Sequence, residues 1–123
     1  MEECLLPYTS ASEINYVAFH RITAGYFNEL YGYLNAELAS REGKEYLLQA
    51  NMEDFFEKKG YKKDKEVPGK GSETIFTYLR NAICHPENKK RSYQEKDLTE
   101  NTEKLREIVK KLKEESKNGE KAH

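Results

Sequence analysis

Cysteine occurs twice in this 123-residue chain, proline three times, and no long apolar run occurs at all. Cys4 and Cys84 cannot build a disulfide framework, and so low a count fits a reducing compartment. The first residues, MEECLLPYTS, open acidic and carry an apolar run of two leucines. Neither a secretory signal nor a membrane span is expected from them, so the cytoplasm is the expected location and no membrane partner is expected. Histidine, cysteine and acidic residues are not paired at zinc-ligand spacing, so no metal site and no cofactor are expected. Charge of one sign is missing too. The formal net charge is −1, so no global field draws the chain onto nucleic acid or lipid, and any basic site must be local.

Strand patterning is equally scarce, because strict alternation with β-branched residues appears nowhere. What the chain has is helical periodicity, 35% charged residues, and nine tyrosines with five phenylalanines. That aromatic content separates it from a disordered polyelectrolyte. The length allows a single domain, expected over 1–123, with a core at about 12–116 and a frayed end at 117–123.

The spacing predicts a first helix over about 12–40, capped by Ser12, with Ile14, Val17, Ala18, Ile22, Tyr26, Leu30, Tyr33, Leu34 and Leu38 at three- and four-residue steps. Gly25 and Gly32 lie inside it and mark an expected bend or close packing. A second helix is expected over 44–59, using Leu47, Leu48, Met52, Phe55 and Phe56. GYKKDKEVPGKG, 60–71, is the one obvious loop. A third helix starts near Ser72, and Ile75, Phe76, Leu79, Ala82 and Ile83 form its apolar stripe. The last, about 97–116, turns Leu98, Leu105, Ile108, Val109 and Leu112 inward. Four apolar stripes give an all-α, four- to five-helix, up-and-down bundle.

Chemistry concentrates in LRNAICHPENKKR, 79–91. Pro86 drives the residue before it out of the α region, so the third helix must stop at His85. Arg80 and His85 would diverge on a continuing helix, but a stop at His85 lets the imidazole turn back toward the guanidinium. Asn81, four residues before His85, lies on its side of the last turn. This trio suits a phosphodiester. The arginine fork grips phosphate oxygens and keeps its charge, the histidine moves a proton near neutral pH, and RNA supplies the 2′-hydroxyl nucleophile. A bland alternative stands beside it: a surface arginine paired with an acid, and a histidine capping helix carbonyls.

LRNAICHPEN resembles the Arg–x4–6–His motif of the HEPN superfamily (higher eukaryotes and prokaryotes nucleotide-binding domains), in which a polar residue, often asparagine, follows the arginine. The resemblance implies an all-α bundle of four or five helices with the motif near the end of a late helix. It implies a metal-independent endoribonuclease acting in toxin–antitoxin pairs or anti-phage defence, working as a homodimer whose two motifs meet in one cleft. A second histidine, from the other copy, would then complete the acid–base pair. Arg80 and His85 match the catalytic pair, and Asn81 the supporting polar residue. One subgroup has a tyrosine two residues after the histidine. Glu87 stands there instead, which removes the acceptor for nucleotide transfer but leaves the cleavage pair.

Other residues carry weaker expectations. Lys89, Lys90 and Arg91 are placed to steer an RNA backbone, and the lysines of 58–70 add a local excess of positive charge. Tyr78 and Tyr93 flank the motif and offer stacking faces, although tyrosines more often pack with a wet hydroxyl. His20 is expected to be a satisfied histidine, and Cys84 a small buried residue. The reading from a different class is a non-catalytic HEPN module that binds RNA, nucleotide or a protein. An antitoxin-like partner belongs to the first reading.

Overall fold

The computed structural model describes residues 3–121, with side chains through Ser116. The described residues form five helices and one short hairpin: α1 Ala11–Phe19, α2 Ala24–Arg41, α3 Gln49–Lys58, β1 Lys65–Val67, β2 Gly71–Glu73, α4 Ile75–Cys84 and α5 Glu95–Lys121. The chain is therefore mostly helical, as its periodicity requires, with a two-stranded sheet that the periodicity did not announce. The helix expected to end at 116 continues through Lys121. Residues 122–123 of the expected frayed end lie outside the described residues.

The expected first helix is two helices. Ser10, not Ser12, caps α1 by accepting the Glu13 N–H at 3.2 Å. His20 then adopts a left-handed conformation (φ 52°), and its N–H and that of Arg21 close α1 on the carbonyls of Tyr16 and Asn15. Thr23 opens α2 by accepting the Tyr26 N–H at 3.1 Å. Gly25 and Gly32 sit inside an unbroken α2. A Cβ at Gly25 would meet only ordinary contacts, and one at Gly32 would meet nothing within 4 Å. Neither interrupts the helix.

Helix α2 is the spine. It packs on α1, α4 and α5, and buries Tyr26, Phe27, Leu30, Tyr31 and Leu34. Phe56 of α3, Phe76 and Leu79 of α4, and Leu105 and Val109 of α5 fill the other side of this core. Each such side chain contributes about 1.5–3 kcal/mol on burial. Ile14 and Leu48, both assigned to inward faces by their spacing, are exposed. Leu48 is exposed because α3 begins five residues later than expected. Asn35 of α2 pins the preceding loop by a pair of 2.9 Å bonds to the N–H and C=O of Leu47. That ties the loop outside the helical screw.

Two buried polar clusters fix how the helices meet. Glu13 accepts the N–H groups of Leu5 and Leu6 and the Tyr26 hydroxyl, and Arg106 of α5 bonds the same tyrosine and the Glu3 carbonyl. The second cluster serves α4. Its cap is Thr74 rather than Ser72, because 71–73 pair with 65–67 in antiparallel register, Lys65 opposite Glu73 and Val67 opposite Gly71. Glu53 from α3 accepts the Thr74 N–H and hydroxyl, each at 2.7 Å, and the Thr77 hydroxyl. A carboxylate at this helix N-terminus satisfies orphan donors and opposes the positive end of the helix dipole.

Candidate functional site: the cleft at the end of helix α4

Helix α4 stops where proline demands. Cys84 is its last residue, and His85 is the C-cap with φ −128° and ψ 63°, outside the helical screw. The His85 N–H still bonds the Asn81 carbonyl at 3.0 Å, and the His85 carbonyl accepts from Asn88, closing a turn over Pro86 and Glu87. The imidazole stands 56% exposed, with Nδ1 3.7 Å from a Glu87 carboxylate oxygen. Cys84, expected to be buried, is exposed. It is the last residue of the helix, and its sulfur accepts from the Asn28 side-chain amide of α2 at 3.5 Å.

His85 stands at a polar cleft of about 410 Å³ between the α4 terminus, the hairpin and the start of α3. Asn81 and Glu73 lie at its buried base, Gln49 and Arg91 beside them, and Lys70 and Asn88 with His85 around it. The Asn81 amide donates to Gln49 Oε1 at 3.0 Å and to Glu73 Oε2 at 3.1 Å. Arg91 donates from Nε and Nη2 to the two Glu73 oxygens at 2.9 and 2.7 Å. The pairing with Glu73 holds the Arg91 guanidinium above its ordinary pKa. With that pair neutralised, the other charged side chains that line the cleft beside His85 are Lys70 and Glu87.

Two of the three expected motif residues thus share one cleft. Arg80 does not line it. Its guanidinium lies over the Tyr31 ring at 5.4 Å, reaches Asn81 Oδ1 only by a long 3.4 Å bond, and borders a separate depression against α2. Asn81 is the link between the two flanks. Lys89 and Lys90 are exposed beyond the turn, and the Lys90 ammonium lies beside Gly69 of the hairpin. Arg91, expected to steer a backbone phosphate, has its fork committed to Glu73. Tyr93 is 37% exposed and does not line the cleft. Tyr78 is buried, with its hydroxyl accepting the Ser92 N–H at 3.0 Å, the packing role expected of most tyrosines. His20 is satisfied by Glu103 at 3.1 Å.

Four cleft residues did not stand out in the sequence as site residues. Glu73 reads there as a first-turn helix acid, Gln49 falls mid-helix, Lys70 is one lysine in a lysine-rich loop, and Asn88 follows the proline turn. Only Lys70 carried a signal, as part of the local positive excess. Among the described residues, no three histidine, cysteine or acidic side chains converge as a metal-holding group, and no helix is long and apolar enough to cross a membrane. The chain matches no protein-family model, no curated protein and no solved structure.

Proposed function

We propose that this chain is a metal-independent endoribonuclease of the HEPN type, acting in a toxin–antitoxin pair or in anti-phage defence. The observation that carries the reading is His85: proline takes it out of helix α4 and leaves it half-exposed on a polar cleft with Asn81 and Lys70. The mostly helical bundle, with the motif closing its penultimate helix, supports the same reading. In the reaction, His85 takes the proton of an RNA 2′-hydroxyl, the freed oxygen attacks the adjacent phosphorus, and the bond to the 5′-oxygen breaks. The leaving oxygen receives its proton from the partner subunit's His85 in a two-fold dimer. The products are a 2′,3′-cyclic phosphate and a 5′-hydroxyl. Lys70 offsets charge on the phosphate in the cleft, Arg80 holds the RNA backbone from the adjoining depression, Asn81 orients the flanking groups, and Lys89, Lys90 and Tyr93 extend the RNA track.

Purified protein is expected to cut RNA equally well with and without chelator. His85→Ala is expected to lower the rate by at least about 100-fold. Equal rates for parent and variant would remove the nuclease assignment. A second reading, a HEPN module that binds RNA, nucleotide or a protein without cutting, draws on one observation: Arg80 and His85 border different depressions within one protomer. Saturable RNA binding by the dimer with no product over hours selects that reading.

A further inference from the structure

The depression on the far flank of α4 has chemistry of its own. Arg80, Tyr31, Gly32, Ala36, Glu45 and Tyr46 border a hollow of about 360 Å³ between α2 and the 43–48 loop, with Glu45 its one carboxylate. One face of the Arg80 guanidinium is taken by Tyr31. Among the described residues its N–H groups make one long bond to Asn81 and meet no carboxylate at ion-pair distance, Glu45 included, so donors remain for an incoming anion. Tyr46, 64% exposed, presents an aromatic ring that the core does not use. Its loop is held by both Asn35–Leu47 bonds, so the ring stands on a fixed wall. Gly32 and Ala36, one helical turn apart, keep the opposite side low, and a Cβ at Gly32 would touch nothing within 4 Å.

The geometry points to a base-reading slot: Arg80 holds a phosphate of the RNA and Tyr46 stacks the base of the same unpaired nucleotide. This deepens the nuclease reading and rests on it for the identity of the ligand. An arginine with free donors beside an unused aromatic ring matches the two ends of a nucleotide, anionic and planar. A duplex cannot fill the slot, because neighbouring base pairs cover both faces of every base. Tyr46 is then a specificity-determining residue, and the substrate is RNA with an unpaired nucleotide next to the scissile bond. Lys89 and Lys90 act at the backbone alone and discriminate nothing.

The test separates binding from cutting. Full-length His85→Ala protein is titrated with a labelled single-stranded RNA oligonucleotide, with the same RNA annealed to its complement, and with a version carrying abasic sites. The expected result is tightest binding to the intact single strand, and about tenfold weaker binding when Tyr46→Ala is added. Tyr46→Phe is expected to restore the affinity. Gly32→Leu fills the hollow from a position with open space and is expected to mimic Tyr46→Ala while the helix content stays unchanged. Equal affinity for intact, abasic and duplex RNA, or no effect of Tyr46→Ala, overturns the slot and leaves the nuclease reading standing. No RNA binding by any variant overturns both, whereas a fully active His85→Ala protein that still needs Tyr46 overturns the nuclease mechanism alone.

Discussion

Arg91 closes a two-bond fork on Glu73, and both side chains are about 5% exposed, at 4% and 6%. The pair joins the loop after α4 to strand β2, and so fixes the base of the His85 cleft. Removing one partner strands the other as an uncompensated buried charge. Glu73→Ala is expected to cost about 3–5 kcal/mol, read as a lower urea midpoint at unchanged slope. Arg91→Lys keeps the charge but loses the planar fork, so it is expected to cost stability as well. An Arg91→Lys protein as stable as the parent would mean that the fork does not hold the cleft.

His85 sits in the opposite situation. It is half-exposed, caps the helix through its backbone, and lies outside the buried core cluster of the described residues. His85→Ala is expected to shift stability by no more than about 0.5 kcal/mol. Loss of RNA cleavage with an unmoved melting curve assigns the imidazole to chemistry. A large drop in stability assigns it to structure.

Gly32 lies in the interior of α2 with open space where a Cβ would be. Glycine there gives the unfolded chain freedom that the helix must remove, with no steric need in return. Gly32→Ala is expected to stabilise the protein by about 0.5–1 kcal/mol in chemical denaturation. A decrease would show that the backbone at this position is not ordinary helix.

Burial pushes the phenols of Tyr26, Tyr31 and Tyr33 up from their ordinary pKa of 10.0, and the Glu13 carboxylate bonded to Tyr26 pushes in the same direction. A phenol raised in the folded state loses its proton first from the unfolded chain. Below about pH 10 both states hold the proton and these groups add no pH dependence. Above it the unfolded state binds fewer protons, so stability falls as the pH rises. Alkaline unfolding is expected to coincide with a cooperative rise in tyrosinate absorbance. A gradual rise with the fold intact would contradict the burial of these hydroxyls. Tyr26→Phe is expected to reduce the steepness of the loss, at a cost in stability from the bonds it made to Glu13 and Arg106.

The bundle was legible where one chain segment decides its own fate. The α5 stripe of Leu98, Leu105, Ile108, Val109 and Leu112 is buried as its spacing requires. So is most of the α4 stripe, and Pro86 stops that helix by local sterics alone. The break at residues 20–23 was not legible, because no glycine or proline marks it. His20 turns left-handed, and Thr23 restarts the chain so that α1 lays Glu13 against Tyr26 and Arg106. The hairpin escaped as well, since three-residue strands are too short to show a period.

The cleft divides in the same way. By itself, the sequence determined that α4 ends at an imidazole, that Asn81 lies one turn behind it, and that lysines crowd the flanking loops. Those are consequences of helical geometry and of proline. Only the tertiary structure decided that Arg91 is bound by Glu73, 18 residues earlier, and that Arg80 leans on Tyr31, 49 residues earlier. A charged side chain is a free site or a structural tie according to which partner the fold brings beside it, and periodicity carries no information about distant partners.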